Sequence, residues 1–227
     1  MEGRASDIVA TMQKKPAKVP VHRPPPPKHV RIIGGAWKRS QLPVLDALGL
    51  RPTPDRVRET VFNWISHLWD HSWDTARVLD LFAGSGALGF EAASRGAAAV
   101  TVIDAHPQVV RQLQEIKEKL HAEHVTVQRA DALTAAVSLA ARGERYDLVF
   151  LDPPYQQDLL SKSLPLCVKL VNDGALVYVE SGTRLPFPED AQIGDEATPA
   201  WLAPWLPVRQ DKAGVVFYYL LQLRKVA

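Results

Sequence analysis

One run of the chain restricts the fold more than any other. Arg77-Val78-Leu79-Asp80-Leu81-Phe82 is a short apolar stretch that reads as a buried strand, and Gly84-Ser85-Gly86-Ala87-Leu88-Gly89 continues it as G-x-G-x-x-G opening a helix. A second strand, Ala99-Val100-Thr101-Val102-Ile103, ends in Asp104, 20 residues beyond Gly84. Glycines let a backbone turn sharply and approach a ligand, and an acid closing the second strand can accept both hydroxyls of a ribose. Strand, glycine loop, helix, strand and acid in this order point to a doubly wound α/β sheet that binds a nucleoside-containing cofactor.

The same pattern repeats downstream. A helix over 107–121 leads to the strand His124 to Gln128, after which Asp131 sits where an acid could accept from an adenine amine. It is equally placed to cap the next helix, 132–142, and the two roles are compatible. Then come a strand from Tyr146 to Leu151, a helix over 157–171, a strand from Ala175 to Glu180 and a Pro-rich stretch holding Trp201 and Trp205. A final strand pair ends in Gly214 to Leu221 and would form an antiparallel edge on an otherwise parallel sheet.

Chemistry is concentrated at Asp152-Pro153-Pro154-Tyr155, delivered to the carboxyl end of the strand Tyr146 to Leu151, where open α/β sheets place their ligands. Each proline fixes φ and lacks an N–H, so Pro153 and Pro154 make a stiff ledge with free carbonyls. Asp152 and a ledge carbonyl could accept the two hydrogens of an exocyclic amine while the ring of Tyr155 stacks on the attached base. This suits alkylation of an amine that is not basic, because hydrogen bonds to a carboxylate and a carbonyl draw its delocalised lone pair toward the reacting carbon. Taken alone, the tetrapeptide is equally a rigid turn after a core strand.

The cofactor follows from Asp80, just before the loop Phe82-Ala83-Gly84-Ser85-Gly86. A carboxylate there would repel the pyrophosphate of a nicotinamide dinucleotide and suits the amino group of a sulfonium amino acid. S-adenosylmethionine is therefore favoured over NAD.

Charge divides the chain. Residues 1–58 hold 12 Lys and Arg against 4 Asp and Glu, and the remaining 169 hold 15 against 21, within a net charge of +2. The basic third is the expected nucleic-acid surface. Residues 1–28, with Pro16, Pro20 and Pro24 to Pro27, read as a disordered polyproline-like tail. His29 to Ile33 and Trp37 to Leu42 read as two strands around a Gly34-Gly35 turn, a hairpin carrying Arg31, Lys38 and Arg39. In Leu50-Arg51-Pro52-Thr53-Pro54-Asp55-Arg56-Val57-Arg58, Thr53 suits an N-cap and Pro54 the first helical position. Val57, Val61, Trp64, Ile65 and Leu68 share one helical face. Arg51, Arg56 and Arg58 near that helix start oppose its dipole and hint at an anionic partner.

No apolar run reaches the roughly 18 residues needed to span a bilayer, and the N-terminus lacks an apolar signal core, so a soluble protein is expected. Cys167 is the only cysteine, excluding an internal disulfide and any cysteine-clustered metal site and suggesting a reducing cytoplasm. Its apolar neighbours make it an inert core thiol.

Together these motifs resemble the RsmD family of bacterial 16S ribosomal RNA guanine-N2 methyltransferases. The likeness covers about residues 30–224 and rests on Arg31 to Gly35, Leu50 to Asn63, Leu79 to Gly89, Asp152 to Tyr155 and Lys212-Ala213-Gly214, the Arg-Pro-Thr segment being the most specific. The resemblance implies a Rossmann-like methyltransferase sheet over residues 49–227, mostly parallel with an antiparallel C-terminal edge hairpin, preceded by a docking hairpin at 29–48 and the tail at 1–28. It implies methylation of guanine 966 at N2 with S-adenosylmethionine, on the small subunit or a late assembly intermediate. A monomeric cytoplasmic enzyme that needs neither a metal nor a membrane is the expectation. By matching motifs, Asp152, Pro153, Pro154 and Tyr155 would be catalytic. Asp80, Phe82, Ala83, Gly84, Ser85, Gly86, Asp104 and Asp131 would hold the cofactor, and Arg31, Lys38, Arg39, Arg51, Thr53, Arg56 and Arg58 would grip RNA. An amino-methyltransferase acting on DNA adenine or a protein amide, an NAD-dependent oxidoreductase and an inactive RNA-binding assembly factor are the competing readings.

Overall fold

A computed structural model describes residues 29–45, 53–154, 158–187 and 198–225. Seven strands form the main sheet. In chain order the elements are β1 (His29–Arg31), β2 (Gln41–Pro43), α1 (Asp55–Leu68), β3 (Arg77–Asp80), α2 (Ala87–Ser94), β4 (Ala99–Asp104), α3 (Pro107–Leu120), β5 (Val125–Arg129), α4 (Ala132–Ala141), β6 (Tyr146–Leu151), α5 (Leu160–Cys167), β7 (Val171–Ser181), β8 (Trp205–Ala213) and β9 (Val216–Leu223). The sheet order is β5-β4-β3-β6-β7-β9-β8, parallel from β5 through β7, with β9 and β8 antiparallel at the edge. From β3 the chain winds outward to β5 and then returns to β6, so its direction reverses between β3 and β6. Ligands bind at such a reversal.

The sheet is apolar on both faces because helices cover both. Along β6, Leu148 and Phe150 join a core with α1, α2 and α3, whereas Val149 and Leu151 join a second core with α4 and α5. Cys167 is fully buried in the second, and burial pushes its thiol up to about 12. That is the inert core thiol expected. Among the described residues no helix is long and apolar enough to cross a membrane.

Several boundaries differ from the sequence expectation. Helix α5 covers only Leu160–Cys167, with Pro165 inside it, and β7 begins at Val171, opposite Tyr146, rather than at Ala175. Residues 1–28 lie outside the described residues. The small hairpin pairs only His29–Arg31 with Gln41–Pro43, extended by hydrogen bonds from Ile32 N to Ser40 O and from Arg39 N to Ile32 O. Gly34-Gly35 therefore does not make a tight two-residue turn. It sits on the end of α2 instead: Ile33 and Gly34 donate their N–H groups to the Glu91 carboxylate at 2.6 and 2.9 Å, and Ala36 donates to Ser94 O at 2.7 Å. Ile32 and Leu42 are buried in the core shared with α1, α2 and α3, so the hairpin is packed on the sheet domain.

Gly35 fixes that docking. Its φ is +76°, and a Cβ there would lie 1.8 Å from Ser94 O, a backbone atom that cannot swing aside. Gly35→Ala is expected to lower the unfolding free energy by about 2 kcal/mol or more. The drop should appear as a lower denaturant midpoint with unchanged slope, and an unshifted midpoint would mean that the loop does not seat on α2.

Candidate active site

Because a strand buried on both faces has no room for polar side chains, its acids can only stand near its ends. Asp80 closes β3 in register with Val102 of β4 and Phe150 of β6. Its Oδ2 accepts from Gly89 N at 3.0 Å, and the Phe82 N–H adds a second hydrogen bond. Burial pushes the carboxyl up to about 7, the two backbone donors pull it down, and the charge of Asp104 adds a smaller upward push. Gly89 is the close-packing position of the loop, since a Cβ there would lie 2.4 Å from Val102 Cγ1.

Asp104 ends β4. Its Oδ2 accepts from Gly84 N at 3.1 Å and its Oδ1 from His106 N at 2.8 Å. A carboxylate has about four lone-pair sites, so Asp104 is oriented by the loop and can still accept from a diol. Ser85 and Ala83 are buried and Phe82 and Gly84 half-buried, and Gly86 takes a φ of +78° as α2 begins. Asp131 is exposed and caps α4, accepting from Thr134 N and Oγ1 at 2.9 Å each, which lowers its pKa.

Asp152 leaves the end of β6, the strand beside β3. It is half-buried, Pro153 is buried and Pro154 is exposed. Tyr155 lies outside the described residues. On the far side, Phe150 and Leu151 pair with Tyr178 and Val179 of β7, which places Glu180 in line with Asp152. Glu180 is buried and was not anticipated. Its Oε1 accepts from Tyr178 Oη at 2.7 Å and from Thr53 Oγ1 at 2.6 Å, and Thr53 Oγ1 lies 3.4 Å from Asp152 Oδ2. Desolvation raises the Asp152 carboxyl well above its ordinary value. The charges of Glu180 and then Asp80 raise it further, and the Thr53 hydrogen bond lowers it. An acid at the end of the apolar run Ala175 to Glu180 repeats the pattern of Asp80, Asp104 and Asp152, so the signal was present.

The expected RNA residues separate into two groups. Arg31, Lys38 and Arg39 are exposed and, with Arg95, Glu59 and Asn63, line an open groove of about 430 Å³ beside α1. Arg56 is also exposed, and Arg51 lies outside the described residues. Arg58 and Thr53 differ from expectation. Arg58 is fully buried and donates to Thr53 O (3.2 Å), Arg31 O (2.9 Å) and Asp55 Oδ1 (2.6 Å), so its charge serves the fold and does not face a partner. Thr53 is buried and is not the N-cap. Pro54 holds that position and makes no side-chain cap, because the Thr53 hydroxyl is turned to Glu180.

The buried Asp80 carries a pH signature. Its folded value near 7 lies above the ordinary 3.8, so the native state holds its proton more tightly. The corresponding stability is complete below about pH 4 and is lost as pH rises through 7. Asp80→Asn should flatten the pH dependence of the unfolding free energy between pH 4 and 7, removing a fall on the order of a few kcal/mol. Parallel curves for the two proteins would show that Asp80 titrates normally.

The family described as Conserved hypothetical protein 95 matches residues 30–197. Ribosomal RNA small subunit methyltransferase D of Escherichia coli (strain K12) is 40% identical over 195 residues, 85% of this chain and 89% of that protein. The solved structure of the Escherichia coli protein yhhF is 40% identical and covers 86% of this chain and 98% of that one, with a TM-score of 0.69. A methyltransferase solved in complex with SAH shares the fold alone, at 14% identity and a TM-score of 0.56 over 74% of this chain and 48% of that one. With its sheet order, end-of-strand acids and glycine loop, the chain belongs to the RsmD family of ribosomal RNA methyltransferases, the family described as Conserved hypothetical protein 95.

Proposed function

We propose that this chain methylates the exocyclic N2 amine of guanine 966 in 16S ribosomal RNA, on the small subunit or a late assembly intermediate, with S-adenosylmethionine as donor. The observation that carries the reading is the placement of Asp152 and its proline ledge beside Asp80 and the glycine loop, on neighbouring strands at the reversal of the sheet. The acids fit such a donor. Asp80, buried and held near neutrality, would gain a cationic amino group as partner, and Asp104, oriented by Gly84 and His106, would accept from the ribose. Asp131, whose Oδ1 takes both Thr134 donors, would accept from the adenine amine through Oδ2. When bound, S-adenosylmethionine supplies a methyl already activated on a sulfonium centre.

The chain's own residues do the rest by position. Asp152 and a ledge carbonyl would hold N2 of a guanine drawn out of its stack, at a cost of a few kcal/mol, within about 3 to 3.5 Å of the reacting carbon. Tyr155, on the next position of the ledge, would stack on the base. The groove lined by Arg31, Lys38, Arg39 and Arg95 offers cations to the RNA backbone, and its contacts would offset the unstacking.

Transfer of radiolabelled methyl to small subunits that lack the modification, followed by mapping of the label, tests this reading. Label on N2 of guanine 966 is expected. Label elsewhere would keep the chemistry and overturn the target, and no label with cofactor bound would favour a binding role. In the same assay Asp152→Ala should cut turnover by about 10² or more with little change in cofactor affinity. Replacing Arg31, Lys38 and Arg39 together with Ala should weaken RNA binding and flatten its salt dependence by roughly one unit of slope per lost phosphate contact; an unchanged slope would move the RNA surface elsewhere.

A further inference from the structure

Methylation of a neutral amine leaves a proton to be disposed of. As the N–C bond forms and the donor's C–S bond breaks, the sulfonium becomes a neutral thioether and the nitrogen becomes cationic. One N–H bond must then break, with its electron pair staying on nitrogen. Asp152 is the ionisable group on the ledge, and what stands behind it decides where the proton goes.

Behind it stands a second carboxylate. Glu180 Oε1 is 2.6 Å from Thr53 Oγ1 and 2.7 Å from Tyr178 Oη. Tyr178 and Thr53 each have one proton to give, and both hydroxyls donate to the same oxygen of Glu180. The single Thr53 proton lies between the two carboxylates: the hydroxyl reaches Asp152 Oδ2 as a weak donor at 3.4 Å while Asp152 is ionised, and once Asp152 is protonated it can turn wholly to Glu180 and accept from Asp152. A proton arriving on Asp152 therefore has an acceptor in line. The groups facing Asp152 are Glu180 from β7, Asp80 from β3 and the Thr53 hydroxyl ahead of α1.

We propose that Glu180 and Thr53 are positioning residues that make Asp152 the proton acceptor of the transfer: Asp152 takes the amine proton, and the hydroxyl bridge to Glu180 orients and holds it. This rests on the reading of Asp152 as the group that binds the acceptor amine. Thr53 belongs to the Arg-Pro-Thr segment, and here its hydroxyl acts on the acid pair and does not contact RNA. The like charge of Glu180 strengthens Asp152 as a base, a contribution that a residue important only for folding would not make.

Two measurements separate the outcomes. The first needs no nucleic acid: the carboxyl stretch of Asp152, isolated as the infrared difference between wild type and Asp152→Asn, is titrated in wild type and in Glu180→Gln. Loss of the neighbouring charge should move the Asp152 midpoint to lower pH, and an unmoved midpoint would overturn the proposal. The second is single-turnover methyl transfer by Glu180→Gln, Thr53→Val and Thr53→Ser, in conditions where wild type has been shown to transfer. Glu180→Gln and Thr53→Val should lose about 10-fold or more in rate at saturating substrate with unchanged cofactor affinity. The acid limb of the Glu180→Gln pH profile should shift downward, and Thr53→Ser should restore most of the rate. Wild-type rates in both variants, or a loss without any shift of the acid limb, would overturn it. An inactive wild type would count against the ribosomal RNA reading, leaving the infrared titration to decide the acid pair.

Discussion

The arrangement depends on a buried ion pair. Glu91, fully buried on α2, accepts from Ile33 N, Gly34 N and Arg95 Nε and lies 3.8 Å from Arg58 Nη1. Arg58, also fully buried, spends its other nitrogens on Thr53 O, Arg31 O and Asp55 Oδ1. Desolvating two charges costs several kcal/mol per ion, so the pair is a poor source of net stability, and each partner keeps a second ion pair, Arg58 with Asp55 at 2.6 Å and Glu91 with Arg95 at 2.8 Å. What it provides is geometry. One guanidinium holds the hairpin through Arg31 and the segment ahead of α1 through Thr53, while one carboxylate holds the hairpin loop on α2. The Thr53 hydroxyl carries the connection on to Glu180 and Asp152. The exposed basic groove and the acid pair are thus ends of one hydrogen-bonded frame, and the distance between them is set by buried groups.

Along the carboxyl edge of the sheet the acids follow the strand order: Asp104 on β4, Asp80 on β3, Asp152 after β6 and Glu180 on β7. Crowding and burial act in the same direction, which is why Asp80 and Asp152 both hold protons more tightly than an exposed aspartate. Such a row attracts a cationic ligand and repels phosphate. The groove at Arg31, Lys38, Arg39 and Arg95 lies apart from that row, on the hairpin side of α1, so cationic and acidic surfaces are kept separate.

Periodicity made the sheet legible. The strand from Tyr146 to Leu151 matches β6 residue for residue, and the helix expected over 107–121 is α3, Pro107–Leu120, because apolar runs and helical stripes are local signals. Asp80, Asp104 and Asp152 were legible for the same reason, each closing a strand. The misreadings involve partners distant in sequence. Gly34-Gly35 read as a hairpin turn because nothing near it in the chain announces Glu91, 57 residues away. Thr53 read as a helix cap, whereas its acceptor is 127 residues further on. Arg58 read as a surface cation opposing a helix dipole, since a charge gives no local sign that it is enclosed.

The partners of the four acids divide their work. Asp80 and Asp104 are bonded by backbone N–H groups, from Gly89, Phe82, Gly84 and His106. An amide donor orients a carboxylate and stabilises its charge, but it neither gives up nor takes on a proton near neutral pH, so these two acids are suited to holding a ligand in place. Asp152 and Glu180 are joined by a hydroxyl, which can donate on one side while accepting on the other. A hydroxyl bridge lets the charge on one carboxylate be felt, and a proton be shared, by its neighbour. The four acids thus differ in the kind of donor each one meets, backbone amides for Asp80 and Asp104 and a shared hydroxyl for Asp152 and Glu180, on adjacent strands of a single sheet.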